Sequence, residues 1–574
     1  MQSPFADHGK TKEMSLKLPF ASFNELINYT VHHYGLRTAL SSFGTELSFF
    51  ELDGLSRSFA NYCWEELKLK KGDRIAIMLP NLISYPIALF GALRIGLVVV
   101  NINPFYQSKE FGHQIIDSGA TSLVILQDLL NKNQDSFDFR QIKNLITVEG
   151  GDLLSPIKRR FVNFSFRRSI KPIKPANLTT IQFKQLLSDG AEMTSTWSEK
   201  LCCHDDLALL QYTGGTTGHC RGARLRIRNI LSNIEMCYEW LKPLLQEQIS
   251  TQETILTPLP LYHIFSLVTN LFLGVRTGNK IVLVTNPLRI KDMVKTIDKE
   301  KCSFIIGVDT LFAALLKVDK FKKIDFSFLK LGLTGGMVTR QETADAWFKV
   351  TGRVLIQGYG MTECSPVVSC AQILSKRFDG SVGKPLHSTE IKIIDNEGRP
   401  LPTDQEGELC VRGPQVMDGY WGLTDSENRQ WFLADSWLKT GDIGKYDQEG
   451  NLRICGRKKE LIIISGYNVY PNEIEEILLT HDNIIEAAVS SHSAKNGGNP
   501  IIIAFVVSDG SKSIEVSELL ALCRENLISY KIPNKVVFCE KLPKTALGKI
   551  ARNRLFDPEF NRLCYPTSDK DHQH

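Results

Sequence analysis

The chain has 574 residues, of which 43% are hydrophobic and 23% are charged, and its formal net charge is only +5. This length and composition predict a soluble globular protein with more than one hydrophobic core. The small net charge argues against a nucleic-acid-binding protein, because such proteins concentrate far more positive charge. The 13 cysteines are odd in number and include no CxxC pair, which favours reduced thiols over a disulfide framework or a zinc site.

The N-terminus is polar where a signal peptide would carry its apolar core, so we expect a cytoplasmic protein. The one long apolar segment begins at Leu82 and is interrupted by Pro86, Gly91, Arg94 and Gly96. These interruptions predict a buried helix followed by a strand, "LVVVNI", and no transmembrane helix.

Several short apolar runs end at Pro, Asn or Gly, which is typical of strands buried on both faces of a parallel sheet. These runs are "DRIAIMLPN" (73–81), "TSLVIL" (121–126), "KIVLVTN" (280–286) and "CSFIIGV" (302–308). They alternate with helical stretches and therefore predict an α/β architecture. After about residue 380 the strands become shorter and glycine turns more frequent, and an α+β region begins near residue 460.

The stretch "LLQYTGGTTGHCRGARL" (209–225) places four glycines and three threonines after an apolar strand. Consecutive backbone N–H groups and hydroxyls in such a loop suit the phosphates of a nucleotide. The loop is not a Walker A motif, because Gly218 is followed by His219 and Cys220 instead of lysine and serine or threonine. A flexible hairpin turn has the same composition.

Four further segments follow in order along the chain. They are "GYGMTECSP" (358–366), "WLKTGDIGKY" (437–446), "GRKKELIIISGYNVYPNEIEE" (456–476) and "LPKTALGKIARNRL" (542–555). With the glycine-rich loop, they resemble the signature motifs of the adenylate-forming superfamily, which includes acyl-CoA synthetases, peptide synthetase adenylation domains and luciferases. The segments "LPLYHIFSL" and "GPQVMDGYW" are most similar to bacterial long-chain fatty acid:CoA ligases. The resemblance runs from about Phe23 to Leu555.

The resemblance implies an α/β fold with two domains. A large N-terminal domain of parallel α/β subdomains plus a small β-barrel-like subdomain would span 1–458, followed by a small mobile α+β C-terminal domain, 459–574. The implied reaction activates a long-chain fatty acid with ATP and Mg²⁺ to acyl-AMP, releases pyrophosphate and transfers the acyl group to coenzyme A. An aryl carboxylate or another acceptor is the alternative within the enzyme class, and a catalytically weak lipid-binding or regulatory paralogue is the alternative outside it.

The resemblance assigns a nucleotide role to many residues. In the glycine-rich loop these are Thr213, Gly214, Gly215, Thr216, Thr217, Gly218, Arg221 and Gly222. In the adenine pocket they are Gly335, Gly336, Met337, Gln357, Gly358, Tyr359 and Gly360, with Tyr359 stacking on the base. Asp442 would accept hydrogen bonds from the ribose hydroxyls, and Arg457 would support the same ribose.

Three residues are implied to be catalytic. Thr362 would donate to the α-phosphate, and Glu363 would hold Mg²⁺, a hard cation that prefers carboxylate and phosphate oxygens. Lys549 would stabilise the negative charge of the carboxylate and the attacked phosphate. Retention of these three residues together with Asp442 and Arg457 argues against a decayed enzyme, because a binding protein does not need the whole set.

The remaining implied roles concern the acyl group, coenzyme A and domain movement. His263 and Phe265 would line the carboxylate site and the mouth of an acyl tunnel, although aromatic residues in such a run are often plain core. Lys459 would be the hinge about which the C-terminal domain rotates between the two half-reactions. That rotation would withdraw Lys549 and bring the loop containing Gly466 toward the thiol of coenzyme A.

The sequence departs from its relatives at three places. Arg221 stands where close relatives carry lysine, which keeps the charge but changes its shape. Thr334 stands where they usually have glycine, and "RLRIRN" replaces a pattern closer to "MLTHRN". We expect these changes to affect efficiency more than the identity of the reaction.

The segment 158–175, "KRRFVNFSFRRSIKPIKP", carries basic residues around several phenylalanines. Such a segment could rest on the anionic cytoplasmic face of a membrane and help collect a fatty acid from it. A solvated connector is the alternative.

Overall fold

The protein is described by a computed structural model. The residues described are 16–133, 136–155, 157–158, 160, 162–163, 179–213, 220–245, 251–464, 467–492, 500–545 and 549–565. Within them the chain divides into two compact units, a larger one of 16–391 and 411–438 and a C-terminal one of 392–410 and 439–565. The compact division thus groups 439–458 with the C-terminal part, and the domain boundary between 458 and 459 stays a prediction.

The larger unit contains a seven-stranded sheet that is parallel except at one edge. Its strands are, in spatial order, Thr179–Gln182, Asn144–Val148, Ser122–Leu126, Arg74–Met78, Val98–Asn101, Leu207–Thr213 and Arg221–Arg226. Only the last pair is antiparallel. Nearly every position of the three strands nearest the middle is buried, which confirms the buried parallel strands predicted from their continuous apolar runs.

A second sheet of the same unit has nine strands, of which the central six are parallel. In spatial order these are Lys384–Pro385, Val367–Cys370, Leu355–Gly360, Leu331–Gly335, Phe304–Gly307, Thr254–Thr257, Lys280–Leu283, Thr38–Ser42 and Thr45–Ser48. Antiparallel pairs stand at both edges of the sheet. The predicted strands in 280–286 and 302–308 are therefore confirmed.

Helices connect the strands of both sheets, as the α/β prediction requires. The longer ones are Phe23–Tyr34, Phe49–Glu65, Ser84–Arg94, Ser108–Ser118, Phe183–Glu192, Ile227–Leu241, Ile290–Glu300, Asp309–Leu316 and Gln341–Thr351, and the short ones include Gln127–Asn133, Leu273–Thr277 and Asp425–Asn428. Every residue of Ser84–Arg94 is buried, which confirms the buried helix predicted for the long apolar segment. In the part of the chain that the structure describes, no helix has the length and apolar character needed to cross a bilayer.

The C-terminal unit is a separate α+β domain. Its sheet has the strands Ile484–His492, Ile501–Ser508, Lys535–Cys539 and Cys564–Tyr565, with helices Pro471–Leu479, Val516–Asn526 and Pro558–Asn561 beside a short hairpin of Ile462–Ile464 and Tyr467–Val469. The unit also contains most of the strand Trp437–Tyr446, whose second half pairs antiparallel with the strand Leu452–Arg457. A five-stranded sheet is formed by Glu390–Ile394, Gly407–Arg412, Trp437–Tyr446, Phe432–Leu433 and Leu452–Arg457, and no closure of it into the predicted barrel-like subdomain is seen among the described residues.

Candidate functional site

The glycine-rich loop connects two antiparallel strands of the seven-stranded sheet. Thr213 lies opposite Arg221, and Tyr212 lies opposite Gly222, so the loop leaves and re-enters the sheet at neighbouring positions. A Cβ on Gly222 would approach the Tyr212 ring to 3.1 Å, which explains the glycine there. The loop residues Gly214, Gly215, Thr216, Thr217 and Gly218 lie outside the described residues, and their phosphate role stays a prediction.

A later segment of the chain pairs with the other edge of the strand that follows the loop. The Trp421 backbone N–H donates to the Gly222 carbonyl at 2.8 Å, and the Arg224 N–H donates to the Gly419 carbonyl at 3.0 Å. Between them, Ala223 and Tyr420 form an isolated antiparallel bridge. The strand that follows the glycine-rich loop therefore lies between the strand Leu207–Thr213 and the segment 419–421.

Glu363 lies in a tight turn immediately after the strand Leu355–Gly360. The turn requires glycine at 360, because a Cβ there would lie 2.2 Å from the Pro366 carbonyl oxygen. Glu363 is buried, and its Oε1 accepts a 2.6 Å hydrogen bond from the hydroxyl of Tyr420. Burial, followed by the charge of Glu363, raises the pKa of Tyr420 well above its ordinary value, so the phenol stays protonated and donates.

Arg221 lies over two aromatic rings that belong to the same late segment. Its guanidinium carbon is 5.1 Å from the centre of the Trp431 ring and 5.9 Å from that of Tyr420. The two rings meet edge to face at 5.4 Å. A flat guanidinium stacks on such faces better than an ammonium does, which gives a physical reason for arginine at this position.

The chemistry of Glu363 fits a magnesium ion bound together with phosphates. Within the described ranges, no group of three or more His, Cys, Asp or Glu side chains could hold a metal by itself. Mg²⁺ is commonly bound by one or two carboxylates plus substrate phosphates, so a single oriented carboxylate is the donor set it needs. Tyr420 engages one oxygen of that carboxylate and thereby fixes its direction.

The residues assigned to the adenine pocket lie on two neighbouring parallel strands. Gly335 pairs with Gly358 and Thr334 with Gln357, so both glycine-containing ends meet at the carboxyl edge of the nine-stranded sheet. That edge is where open α/β sheets bind ligands. Gly336 follows with a φ of +78°, Met337 is half-buried, and Tyr359 is half-buried on the same strand as Gly358.

Gln357 and Thr334 make hydrogen bonds within the protein. The Gln357 amide accepts from the Thr339 N–H at 2.9 Å and donates to the Gly380 carbonyl at 3.2 Å. The hydroxyl of the fully buried Thr334 accepts from the Thr339 hydroxyl at 3.1 Å. The hydroxyl that replaces the relatives' glycine is thus satisfied inside the protein and adds no unpaired polar group.

The structure brings the aromatic motif against the adenine-pocket glycines. A Cβ on Gly335 would lie 3.2 Å from the ring of Phe265, so the two residues are in close contact. His263 begins the short helix Ile264–Ser266, and its Nδ1 accepts a 3.2 Å hydrogen bond from the Phe265 N–H. His263 and Phe265 therefore lie beside the strand end that was assigned to the nucleotide.

An apolar cavity lies on the side of the nine-stranded sheet that the helix Ile227–Leu241 covers. Cys237, Trp240 and Leu241 line it from that helix, while Ile306 and Leu333 line it from the sheet. Its free volume is about 30 Å³, and the residues that line it are apolar except for Thr269. This is room for about two water-sized spheres, so a long acyl chain would have to displace side chains as it enters.

In the C-terminal unit, Asp442 and Arg457 face each other across two antiparallel strands. Asp442 is buried, and the Arg457 Nε donates to its Oδ1 at 2.7 Å. The Asp442 N–H donates to the Thr440 hydroxyl at 3.0 Å within the same strand. The two side chains thus form an ion pair, and the ribose roles of both residues stay predictions.

Lys549 lies on the returning arm of a hairpin in the same unit. Its carbonyl accepts a 2.7 Å hydrogen bond from the Thr545 N–H, and the Ala551 N–H donates to the Pro543 carbonyl at 2.8 Å. Lys459 is exposed in the turn after Arg457, within the C-terminal compact unit. Gly466 lies outside the described residues, so its coenzyme A role stays a prediction, as do the roles of Lys459 and Lys549.

Comparison with known proteins identifies the family. Residues 28–421 match the model of AMP-binding enzymes, and 473–549 match that of the AMP-binding enzyme C-terminal domain. A long-chain-fatty-acid–CoA ligase of Escherichia coli O6:H1 is 41% identical over 539 residues, covering 94% of each chain. The chain belongs to the AMP-binding enzyme family.

Other members of the AMP-binding enzyme family are similar over the same extent. The ligase of the same name from Haemophilus influenzae is 40% identical, covering 94% of this chain and 95% of the relative, and that of Bacillus subtilis is 33% identical, covering 95% and 96%. Among solved structures, an anthranilate CoA ligase bound to anthranoyl-AMP has a TM-score of 0.79 at 21% identity, covering 95% of this chain and 98% of that one. An o-succinylbenzoate CoA synthetase from Bacillus subtilis has a TM-score of 0.73 at 28% identity, with coverages of 93% and 98%.

Two residues beside Glu363 and Arg221 were not predicted from the sequence of this AMP-binding enzyme. The Tyr420 hydroxyl donates to the buried Glu363, and the Arg221 guanidinium lies over the ring of Trp431. Tyr420 falls within "GPQVMDGYW", a segment that supported the resemblance without suggesting a role. The aromatic residues Tyr420 and Trp431 stand out in the mostly polar stretch 418–431, which was a signal for a role. Their partners, Glu363 and Arg221, lie more than 50 residues away in the sequence.

The aromatic contact predicts a modest effect for Arg221→Lys. Lysine keeps the charge but loses the planar stacking, which is worth about 0.5–1 kcal/mol at partly exposed sites. We expect the KM for ATP to rise by about two- to fivefold, with kcat nearly unchanged. Steady-state kinetics would measure it, and either complete loss or a large gain of activity would contradict it.

The same contact gives this prediction a control. Trp431→Leu removes one of the two rings and leaves Arg221 in place. Because both changes remove the same contact, their effects on the KM for ATP should be less than additive in the double variant. Fully additive effects would show that Arg221 does not act through Trp431.

Proposed function

We propose that this protein activates a long-chain fatty acid with ATP and transfers the acyl group to coenzyme A, releasing AMP and pyrophosphate. The observation that carries the proposal is the 40–41% identity to long-chain-fatty-acid–CoA ligases, which extends over 94% of this chain. The motif residues named above and the apolar cavity at the nine-stranded sheet support the proposal. The proposed reactants are therefore a fatty acid, ATP with Mg²⁺, and coenzyme A.

The first half-reaction requires the protein to hold polyphosphate and to neutralise charge that develops on the transferred phosphate. We propose that the glycine-rich loop and Arg221 bind the β- and γ-phosphates and that Thr362 donates to the α-phosphate. Glu363, oriented by Tyr420, would hold Mg²⁺, which when bound screens the charges of the phosphates. Lys549 would stabilise the fatty acid carboxylate as it attacks the α-phosphate.

The nucleoside would be bound by groups of different kinds. The base would lie at the paired strand ends of Gly335 and Gly358, where Tyr359 would stack upon it. Asp442 would accept the ribose hydroxyls while Arg457 holds its carboxylate in place. The 2.7 Å contact between Arg457 and Asp442 supports this orientation.

The second half-reaction requires coenzyme A to reach the acyl adenylate. We propose that the C-terminal domain, 459–574, is mobile and turns about Lys459, so that Lys549 withdraws and the loop with Gly466 approaches the thiol. An exposed residue in a turn is suited to absorb the change in backbone angles. The peripheral membrane contact of 158–175 stays a proposal as well, because most of that segment lies outside the described residues.

We propose that the fatty acid chain enters the apolar cavity behind Phe265. The lining contains no charged side chain, which suits a methylene chain and disfavours a polar one. Filling the cavity should then shorten the preferred acid. Cys237→Met adds a flexible apolar side chain at the cavity wall, and we expect kcat/KM for C16–C18 acids to fall by about tenfold while C6–C8 acids are little affected.

A matched control separates this effect from general repacking. Cys63 is also a buried cysteine on a helix, but it does not line the cavity, so Cys63→Met should leave the chain-length profile unchanged. Thermal unfolding of both variants would confirm that each is folded. An equal loss for short and long acids in Cys237→Met would contradict an acyl chain in this cavity.

The proposed function is tested by AMP release from purified protein with ATP, Mg²⁺ and coenzyme A. Carboxylates from acetate to oleate and one aryl acid would be compared. We expect a signal that depends on coenzyme A and peaks at long chains. A peak at the aryl acid would replace the fatty substrate, and ATP binding without turnover of any acid would favour the lipid-binding or regulatory alternative.

A further inference from the structure

Two cysteines of the C-terminal unit lie in contact across neighbouring strands. Cys539 ends the strand Lys535–Cys539 and pairs in register with Cys564 of the antiparallel strand Cys564–Tyr565. Their Sγ atoms are 3.0 Å apart. A disulfide needs about 2.05 Å between the sulfurs, so the thiols are about 1 Å from bonding distance.

The backbone around the pair suits a cross-strand bond. The Glu540 N–H donates to the Leu563 carbonyl at 3.0 Å, whereas the Leu563 N–H donates to the Phe560 carbonyl at 2.8 Å. The bond from Glu540 is the one expected of an antiparallel hydrogen-bonded pair, so the next pair, Cys539 with Cys564, occupies the position without hydrogen bonds. Opposed side chains are closest at such positions, which suits a cross-strand bond in the observed register.

The two thiols differ in access. Cys539 is buried, with 4% of its surface exposed, whereas Cys564 is partly exposed. Burial, and then the contact with Cys564, raises the pKa of the Cys539 thiol. An oxidant in solvent therefore reaches the Cys564 thiol first, and the buried Cys539 thiol is in contact with it.

The segment between the two cysteines contains a residue that is proposed to be catalytic. This segment is 540–563, and the residue is Lys549. This segment is anchored by the buried side chains of Leu555 and Phe560. A bond between the cysteines would close the segment into a loop whose two ends are fixed at the same edge of the sheet.

We propose that Cys539 and Cys564 are a redox-modification site that forms a reversible disulfide in response to a peroxide. The Cys564 thiolate attacks the peroxide O–O bond, becoming a sulfenic acid and releasing hydroxide. Cys539 loses its proton and attacks the Cys564 sulfur, forming the S–S bond and displacing the second hydroxide. The two thiols supply two electrons and two protons, one molecule of hydrogen peroxide becomes two of water, and a dithiol reductant reverses the bond.

The oxidised protein would hold the segment 540–563 more firmly. A cross-link removes conformations of the loop that it closes, so opening of this segment becomes rarer. We expect its slowest-exchanging backbone amides to exchange about tenfold more slowly after oxidation. The bond would form whichever carboxylate the enzyme activates, so its test is independent of the substrate.

The test treats the reduced full-length protein with stoichiometric hydrogen peroxide and maps its peptides without reductant. We expect a peptide that joins Cys539 to Cys564, with the loss of two hydrogen atoms, and its disappearance on adding a dithiol. The cross-link should form at least about tenfold faster in the native protein than in urea, because only the fold brings the sulfurs together. Equal rates, or sulfenic acid on the exposed Cys203 without this cross-link, would overturn the proposal.

Variants give a second readout. Cys564→Ser should abolish both the cross-link and the slower exchange of 540–563. Cys455→Ser changes a partly exposed cysteine of the same unit that has no place in the pair, and it should keep both. Slower exchange that persists in Cys564→Ser after peroxide treatment would contradict the disulfide as its cause.

Discussion

Lys549→Ala is expected to slow formation of the acyl adenylate by about 100- to 1,000-fold, because it removes the cation proposed to meet the charge on the attacked phosphate. The second half-reaction should respond differently. If Lys549 acts only while the carboxylate attacks ATP, transfer of the acyl group from preformed acyl-AMP to coenzyme A should change by less than about threefold. Pyrophosphate release measures the first step, and acyl-CoA formation from supplied acyl-AMP measures the second.

A second lysine of the same hairpin provides the control. Lys544 is exposed and forms an ion pair with Glu486, so Lys544→Ala removes the same kind of side chain from the same local structure. We expect it to leave both half-reactions nearly unchanged, since exposed ion pairs contribute little. Equal losses in the two half-reactions of Lys549→Ala would show that the lysine supports the fold of the hairpin, and the assigned role would be wrong.

The other large effect is expected at Glu363 and its partner Tyr420. Glu363→Gln removes the negative charge and should slow adenylate formation by about 100- to 1,000-fold. Tyr420→Phe leaves the carboxylate but removes the hydrogen bond that directs it, a bond worth about 1.5–3 kcal/mol because its acceptor is charged. We therefore expect an intermediate loss of about tenfold to a hundredfold in Tyr420→Phe.

Binding measurements distinguish a change in the orientation of the Glu363 carboxylate from general damage to the fold. Titration calorimetry of ATP with and without Mg²⁺ should show that Mg²⁺ strengthens binding in the unmodified protein, less so in Tyr420→Phe, and least in Glu363→Gln. Tyr85→Phe is the control, because Tyr85 is fully buried and its hydroxyl also makes hydrogen bonds, to Asn101 and the Leu261 carbonyl. A Tyr420→Phe protein with an unchanged Mg²⁺ effect would contradict the positioning role.

The parallel strands were the most predictable part of the fold. Runs such as "TSLVIL" combine β-branched residues with a terminating polar residue, and the observed strand Ser122–Leu126 is buried at all five positions. Burial on both faces leaves a continuous apolar signal in the local sequence. The strand Arg221–Arg226 left no such signal, because three of its six residues are arginines and one of its two partners, the segment 419–421, lies nearly 200 residues away.

The arginines of "RLRIRN" illustrate what local sequence does not reveal. As a departure from the relatives' pattern they suggested reduced efficiency. In the structure Arg226 and Arg228 both form ion pairs with Asp418, and Arg224 donates to the Asp418 carbonyl at 2.8 Å. Asp205 also pairs with Arg228, so two carboxylates lie against the cluster, and Asp418 connects it to the segment that carries Tyr420.

In the candidate site, too, local motifs were visible in the sequence whereas long-range contacts were not. Glu363, Asp442 and Lys549 were singled out from motifs, because phosphate and ribose chemistry restricts which side chains serve, and their roles stay predictions. The orientation of Glu363 could not be predicted, since it depends on Tyr420, which approaches through a long-range contact. The pairing of Cys539 with Cys564 was equally invisible, because only the strand register brings two scattered cysteines together.

The most direct test of the proposed chemistry is mass spectrometry of the protein incubated with oleate, ATP and Mg²⁺, first without and then with coenzyme A. We expect oleoyl-AMP and pyrophosphate in the first stage, and conversion of the adenylate to oleoyl-CoA and AMP in the second. Formation of ADP and phosphate, or of oleoyl-CoA without a detectable adenylate that coenzyme A can consume, would contradict it.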